Sequence, residues 1–193
     1  MKVFLDTNIF IEFVSHRKQE TLICSIFETI KKTNLTAAVS VGGMYTIAYL
    51  LTRIFKKKDI HQPELNEKVR LGLNGLIDLA EVIDCSQDTI QEAINDERFT
   101  DIEDSFQYHC AEQHDCDVLL TINIKDYKNV LGGRPEVLTP EEFVEKYLKI
   151  KYRKPLSIVL LRGFLPFYAW GLTGLTVNSC FFDTPPRAYL III

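Results

Sequence analysis

The apolar positions change period repeatedly along the first 150 residues. Val3-Phe4-Leu5 is a short apolar run that ends on Asp6, and Ile9, Phe10, Phe13 and Val14 then recur at helical spacing. Leu22, Ile23, Ile26, Phe27 and Ile30 predict the inner face of a second helix from about Gln19 to Lys32. Leu35 to Val39 reads as a buried strand, and Ser40 caps a helix through Tyr45, Ala48, Tyr49, Leu51 and Phe55. Gly42 and Gly43 weaken its first turn but permit close backbone approach. Lys56-Lys57-Lys58 suits its C-terminal end. Pro63 opens a helix through Leu65, Val69, Leu73, Leu76 and Leu79, and Glu81 to Asp84 reads as a strand. Ser86 caps a short helix through Ile90 and Ile94. Thr100 with Glu103 has capping-box spacing ahead of Phe106, Cys110 and Ala111. Two more strands are expected at Asp117 to Thr121 and Glu136 to Leu138. Thr139-Pro140-Glu141-Glu142 then starts a helix ending near Lys149. Strands alternating with helices predict a three-layer α/β/α fold around a central, mostly parallel sheet.

Composition divides the chain. Residues 155–193 hold only three of its charged residues, Arg162, Asp183 and Arg187, which places a boundary near Lys154. Residues 1–150 are expected to form the domain and 151–193 an apolar C-terminal tail. Gly163 to Phe182 is uncharged for 20 residues, long enough for a bilayer, and follows Lys149, Lys151, Arg153 and Lys154. Pro166, Gly171, Gly174 and Asn178 make it a poor span, so an unrelated extension or packed strands are alternatives to an anchor, and any membrane contact would run through this tail alone. The net charge of −4 argues against broad coating of a nucleic-acid duplex. Five cysteines without a CxxC pair, and no signal peptide at the start, lead us to expect a reduced, cytoplasmic setting without structural zinc.

The candidate chemistry lies in acids at the ends of predicted strands. Asp6 closes the first strand, where open α/β sheets place ligands, although Asp before a helix is also a good cap. Asp101 and Asp104, three apart at a helix start, share one face. Thr121-Ile122-Asn123 ends the fourth strand with further oxygen donors. Carboxylates crowded together repel unless a cation offsets them, and oxygen-only donors suit Mg²⁺ or Mn²⁺. Such ions serve in-line attack on phosphodiesters.

In their order, Phe4-Leu5-Asp6-Thr7-Asn8, then Asp101-Ile102-Glu103-Asp104-Ser105-Phe106-Gln107, then Asp117-Val118-Leu119-Leu120-Thr121-Ile122-Asn123-Ile124-Lys125-Asp126-Tyr127, the chain resembles the PIN-domain family over about residues 1–148. That is the fold of many metal-dependent ribonucleases, VapC-type toxins among them. The resemblance implies that Asp6 and Asp104 are principal metal ligands and catalytic acids. It makes Asp101 an auxiliary acid and puts Asn123 where many members have a fourth acid. Thr7 and Asn8 would orient Asp6 or line the pocket, and Asp126 would fix the loop after the strand. The family usually has a Glu on the helix that Ser40 begins; Thr46 stands in its place here, a neutral and poorer ligand. Glu103 would compensate only by turning inward, against its expected capping role.

The expected function is therefore a Mg²⁺- or Mn²⁺-dependent endoribonuclease acting on single-stranded or structured RNA. A toxin role in a toxin–antitoxin pair would bring an antitoxin partner and a homodimer. Lys125 is the better candidate for a phosphate contact, ahead of Lys56 to Lys58, while Tyr45 and Tyr49 read as core or dimer-interface residues. The four histidines lack metal-site spacing. The rival is a catalytically impaired PIN scaffold that binds RNA or a protein partner, which the Thr46 and Asn123 departures favour. A haloacid-dehalogenase-like phosphohydrolase would need a second Asp where Asn8 stands.

Overall fold

The computed structural model describes residues 1–148. Five strands, β1 (Lys2–Leu5), β2 (Thr36–Ser40), β3 (Ala80–Ile83), β4 (Val118–Leu120) and β5 (Glu136–Leu138), form one sheet in the order β3-β2-β1-β4-β5. Every pairing is parallel. The chain steps outward from β1 through β2 to β3, then returns to β4 on the other side of β1. The order thus reverses between β1 and β4, and the crevice outside their carboxyl ends is a topological switch point.

Alternate residues of the strands face opposite layers. Val3, Leu5, Ala37, Val39, Val118 and Leu120 join the larger core with α1 (Thr7–Val14), α2 (Glu20–Lys32), α3 (Val41–Lys57) and α4 (Glu64–Ile77). Phe4, Ala38 and Leu119 face a smaller core with Tyr108, Cys110 and Ala111 of α6 (Ile102–Gln113), beside which lies α5 (Gln87–Asn95). Strands buried on both faces read as unbroken apolar runs, which is why β1 and β4 are legible as Val3-Phe4-Leu5 and Val118-Leu119-Leu120. The five expected helices up to residue 79 and at 86–95 lie where the periodicity puts them, and Ser40 and Ser86 cap α3 and α5 through Gly43 and Thr89 N–H.

Three details differ. Tyr45 and Tyr49 are 74% and 59% exposed, so they are not core: the buried stripe of α3 is Gly43, Ile47, Leu51 and Phe55, two positions away from the tyrosines. Ile94 is likewise half-exposed, and Ala93 is the buried residue of α5. The last helix, α7 (Pro140–Phe143), starts at the expected Thr139, which forms a capping box with Glu142, but continues as a π-helical turn, Val144–Leu148. Among the described residues no helix is long and apolar enough to cross a membrane. The expectations for the tail fall outside the described residues.

Candidate active site

Asp6 leaves the end of β1 with its N–H bonded to the Leu120 carbonyl at 3.1 Å, so its carboxylate stands beside the end of β4. It caps α1, as any Asp there would, but only through a long 3.4 Å bond from Asn8 N–H to Oδ1. The stronger contacts come from side chains. The Thr7 hydroxyl donates to Oδ1 at 3.1 Å, and Oδ2 accepts from Asn8 Nδ2 at 2.6 Å and from the Thr121 hydroxyl at 2.7 Å. Asn8 also donates to Thr121 Oγ1 at 2.9 Å and accepts from Ile122 N–H at 3.1 Å, which ties the turn after β4 to the start of α1. Asp6 is 2% exposed, and burial raises its pKa above the ordinary carboxylate value while the bonds from Thr121, Asn8 and Thr7 oppose the shift.

The second acid comes from α6. Asp101, not Thr100, caps that helix: its backbone is extended (φ −106°, ψ 125°) and its carboxylate accepts from Glu103 N–H at 2.8 Å. The helix therefore begins one residue later than the capping-box spacing implies. Asp104 becomes the third helical residue and Glu103 the second, so Glu103 has no capping duty. Asp104 points toward Asp6, and the Tyr127 hydroxyl lies between them, 3.3 Å from Asp104 Oδ1 and 3.5 Å from Asp6 Oδ2. Burial, then the charges of Asp6, Asp101 and Asp126, push Asp104 up to about 7, and the Tyr127 bond opposes this. Tyr127 is fully buried and its own pKa is pushed well up, by burial first and then by both carboxylates, so its proton stays on the phenol oxygen as the shared donor.

Glu103 turns inward. Its carboxylate is raised by burial and by the charges of Asp6 and Asp101, while a hydrogen bond from the Thr46 side chain on α3 acts the other way. Oε1 of Glu103 is buried without a hydrogen-bond partner.

The remaining expected residues are more peripheral. Asp101 is exposed at the rim and acts on Glu103 and Asp104 through its charge. Asn123 is exposed, and it is its backbone N–H that bonds inward, to Thr121 Oγ1 at 3.0 Å. Lys125 is exposed on the 3₁₀ turn Ile124–Tyr127. Two residues that sequence reasoning did not assign prove central: Thr121, with no exposed surface, and Tyr127. Both lie in the strand-and-turn segment after Asp117, where the sequence reads Thr121 only as part of a polar strand end and gives Tyr127 no role.

The donors around Asp6 and Asp104 are all oxygen, as a hard divalent cation requires. Among the described residues no three Asp, Glu, His or Cys side chains are yet gathered closely enough to hold an ion. The set nonetheless fits one in charge. The charge of Asp6 acts against ionisation of both Glu103 and Asp104, no Lys or Arg stands among the causes of their shifts, and one Glu103 oxygen lacks a partner.

A parallel sheet with acids gathered at its switch point defines an open α/β fold whose ligands meet the carboxyl ends of its strands. The profile described as PIN domain matches residues 2–125, and the chain belongs to the PIN-domain family. Among solved structures it is similar to VapBC2 from Rickettsia felis bound to a DNA fragment from their promoter, with 19% identity, 72% of this chain and 98% of that chain covered, and a TM-score of 0.54. It also aligns with VapC20 of Mycobacterium tuberculosis, a Sarcin-Ricin loop cleaving toxin, with 12% identity, 61% and 86% covered, and a TM-score of 0.47. No curated protein matches the chain.

Proposed function

We propose that the chain is a PIN-type endoribonuclease that takes Mg²⁺ or Mn²⁺ at Asp6 and Asp104 and acts as the toxin of a toxin–antitoxin pair in the cytoplasm. The observation that carries this reading is the convergence of Asp6 and Asp104 on the Tyr127 hydroxyl at the β1–β4 switch point. Thr7, Asn8 and Thr121 hold the Asp6 carboxylate in one orientation, so little reorganisation is needed when it takes a ligand. Asp101 adds negative charge at the rim, Asn123 offers a neutral oxygen donor, and exposed Lys125 is placed on the adjoining turn to meet a phosphate. A divalent ion bound there would offset the carboxylate charge and favour in-line attack of water on the RNA phosphodiester. The VapBC2 likeness adds an antitoxin partner to the proposal, and Tyr45 and Tyr49, exposed on α3, suit a protein interface of a homodimer.

The test is cleavage of an RNA pool by the purified full chain with Mn²⁺. Asp104→Ala is expected to lose at least about a hundredfold in rate, since even supporting residues of metal sites cost 10- to 100-fold. Cleavage undiminished by that substitution would overturn the mechanism. One observation favours a second reading, a binding scaffold without activity: five hydrogen bonds already converge on Asp6. Tight binding of RNA or a protein partner, without cleavage and unchanged in Asp6→Ala, would favour it.

A further inference from the structure

We propose that Glu103 is a working carboxylate of this pocket, held inward by Thr46, and that it supplies from α6 the acid which α3 lacks. The inference rests on the ion-binding reading above and deepens it.

Three observations converge. First, α6 starts at Ile102 because Asp101 caps it, and this frees the Glu103 side chain from the first-turn bond that a capping box would demand. An exposed Glu in a first turn ordinarily points to water, where its charge is solvated and still favours the helix dipole. Glu103 does not take that course. Its side chain turns toward α3, so that the Thr46 hydroxyl favours the charged form of its carboxylate. Second, Oε1 is enclosed and unpartnered. A buried carboxylate oxygen without a donor is costly, and native structures rarely keep one unless something outside the chain satisfies it. Third, Asp6 and Asp101 both act on Glu103 electrostatically, so the oxygen lacking a partner belongs to the same acidic cluster as Asp6 and is not a separate surface feature.

Thr46 makes sense in this arrangement. A hydroxyl is a weak ligand for a hard cation, but it is a good donor to a carboxylate. On α3 it serves as a positioning residue: it fixes the rotamer of Glu103 and leaves one carboxylate oxygen for the ion or for water around it. The arrangement moves a negative group from one helix to its neighbour across the pocket while keeping the number of acids.

The test is Mn²⁺ binding to the full chain, followed by calorimetry and by the electron paramagnetic resonance of free Mn²⁺. Wild type is compared with Asp6→Asn, Glu103→Gln, Thr46→Val and the double variant Glu103→Gln/Thr46→Glu. Glu103→Gln keeps size and helix position and is expected to weaken Mn²⁺ binding about 10- to 100-fold. Thr46→Val should weaken it by a smaller factor, and the double variant, which puts the acid back on α3, should recover most of the loss. Binding that disappears in Asp6→Asn but is unchanged in Glu103→Gln would overturn this inference and leave the proposed function standing. Absence of Mn²⁺ binding in the wild type would overturn both. A double variant no better than Glu103→Gln would overturn the claim that α6 substitutes for α3.

Discussion

The Thr121 hydroxyl donates to Asp6 Oδ2 at 2.7 Å, joining two strand ends that lie 115 positions apart in sequence. Thr121 Oγ1 also accepts from Asn8 Nδ2 and from Asn123 N–H. One buried hydroxyl thus fixes an acid, the residue that orients it and the turn beyond β4.

Thr121→Val keeps the shape and deletes all three bonds. It is expected to destabilise the fold by about 1–3 kcal/mol, the range for buried polar groups left without partners. Urea unfolding of the full chain in metal-free buffer measures this directly. A loss of only a few tenths of a kcal/mol would show that Asp6 is held by its other donors alone.

Asp104 sets a pH dependence with a definite sign. Its carboxyl is raised from 3.8 to about 7 in the fold, so between those values the folded protein holds more protons there than the unfolded chain. Stability in metal-free buffer therefore falls as pH rises through that window, and Asp6, shifted in the same direction, adds to the fall. Asp104→Asn should flatten the slope, making the variant more stable than wild type at pH 8 and no more stable at pH 4. Because Asp104 is only half-buried, solvent screening keeps the gain small. Metal binding runs the other way, since protons compete for the same oxygens, and should strengthen up to about pH 7.

The Tyr127 hydroxyl is the donor that opposes the rise of Asp104. Tyr127→Phe leaves the ring and its packing on Phe99 in place while removing that proton. The Asp104 midpoint should then move above about 7, read from carboxyl carbon shifts in an NMR titration. A midpoint that stayed in place or fell would mean that the hydroxyl does not couple the two acids.

The paired glycines of α3 should respond oppositely to alanine. At Gly42 an added Cβ meets only Ser40 Oγ at 3.9 Å, so Gly42→Ala should stabilise the helix by up to about 1 kcal/mol. At Gly43 it would meet Ser40 Oγ at 3.1 Å and both Thr7 Cγ2 and Val39 Cγ2 at 3.3 Å. Gly43→Ala should forfeit that gain or destabilise, because α3 packs close against the turn that carries Asp6. Thermal denaturation of the two variants side by side separates the cases.

Local chemistry made much of this legible in the chain itself. The strands are short apolar runs because the sheet is covered on both faces, and Ser40, Ser86 and Thr139 are read correctly as caps because a cap acts within three residues of itself. Asp6 and Asp104 are recognisable because each sits at the junction of a strand or loop with a helix, where spacing alone limits where a carboxylate can point. Long-range contacts were not legible. Period left Tyr45 and Tyr49 between core and dimer interface, and only the packing shows that the buried stripe of α3 runs through Gly43 and Ile47 instead. Nothing near Thr121 or Tyr127 in sequence says that they bond Asp6, because those partners meet only when β4 lies beside β1. The cap of α6 turned on which of two neighbouring residues reached the Glu103 N–H, a matter of backbone angle. Sequence by itself determined the elements and singled out the first candidate acids. Tertiary structure decided which hydroxyls hold those acids and which way Glu103 faces, because hydrogen bonds between strand ends and between helices depend on distances that no local pattern encodes.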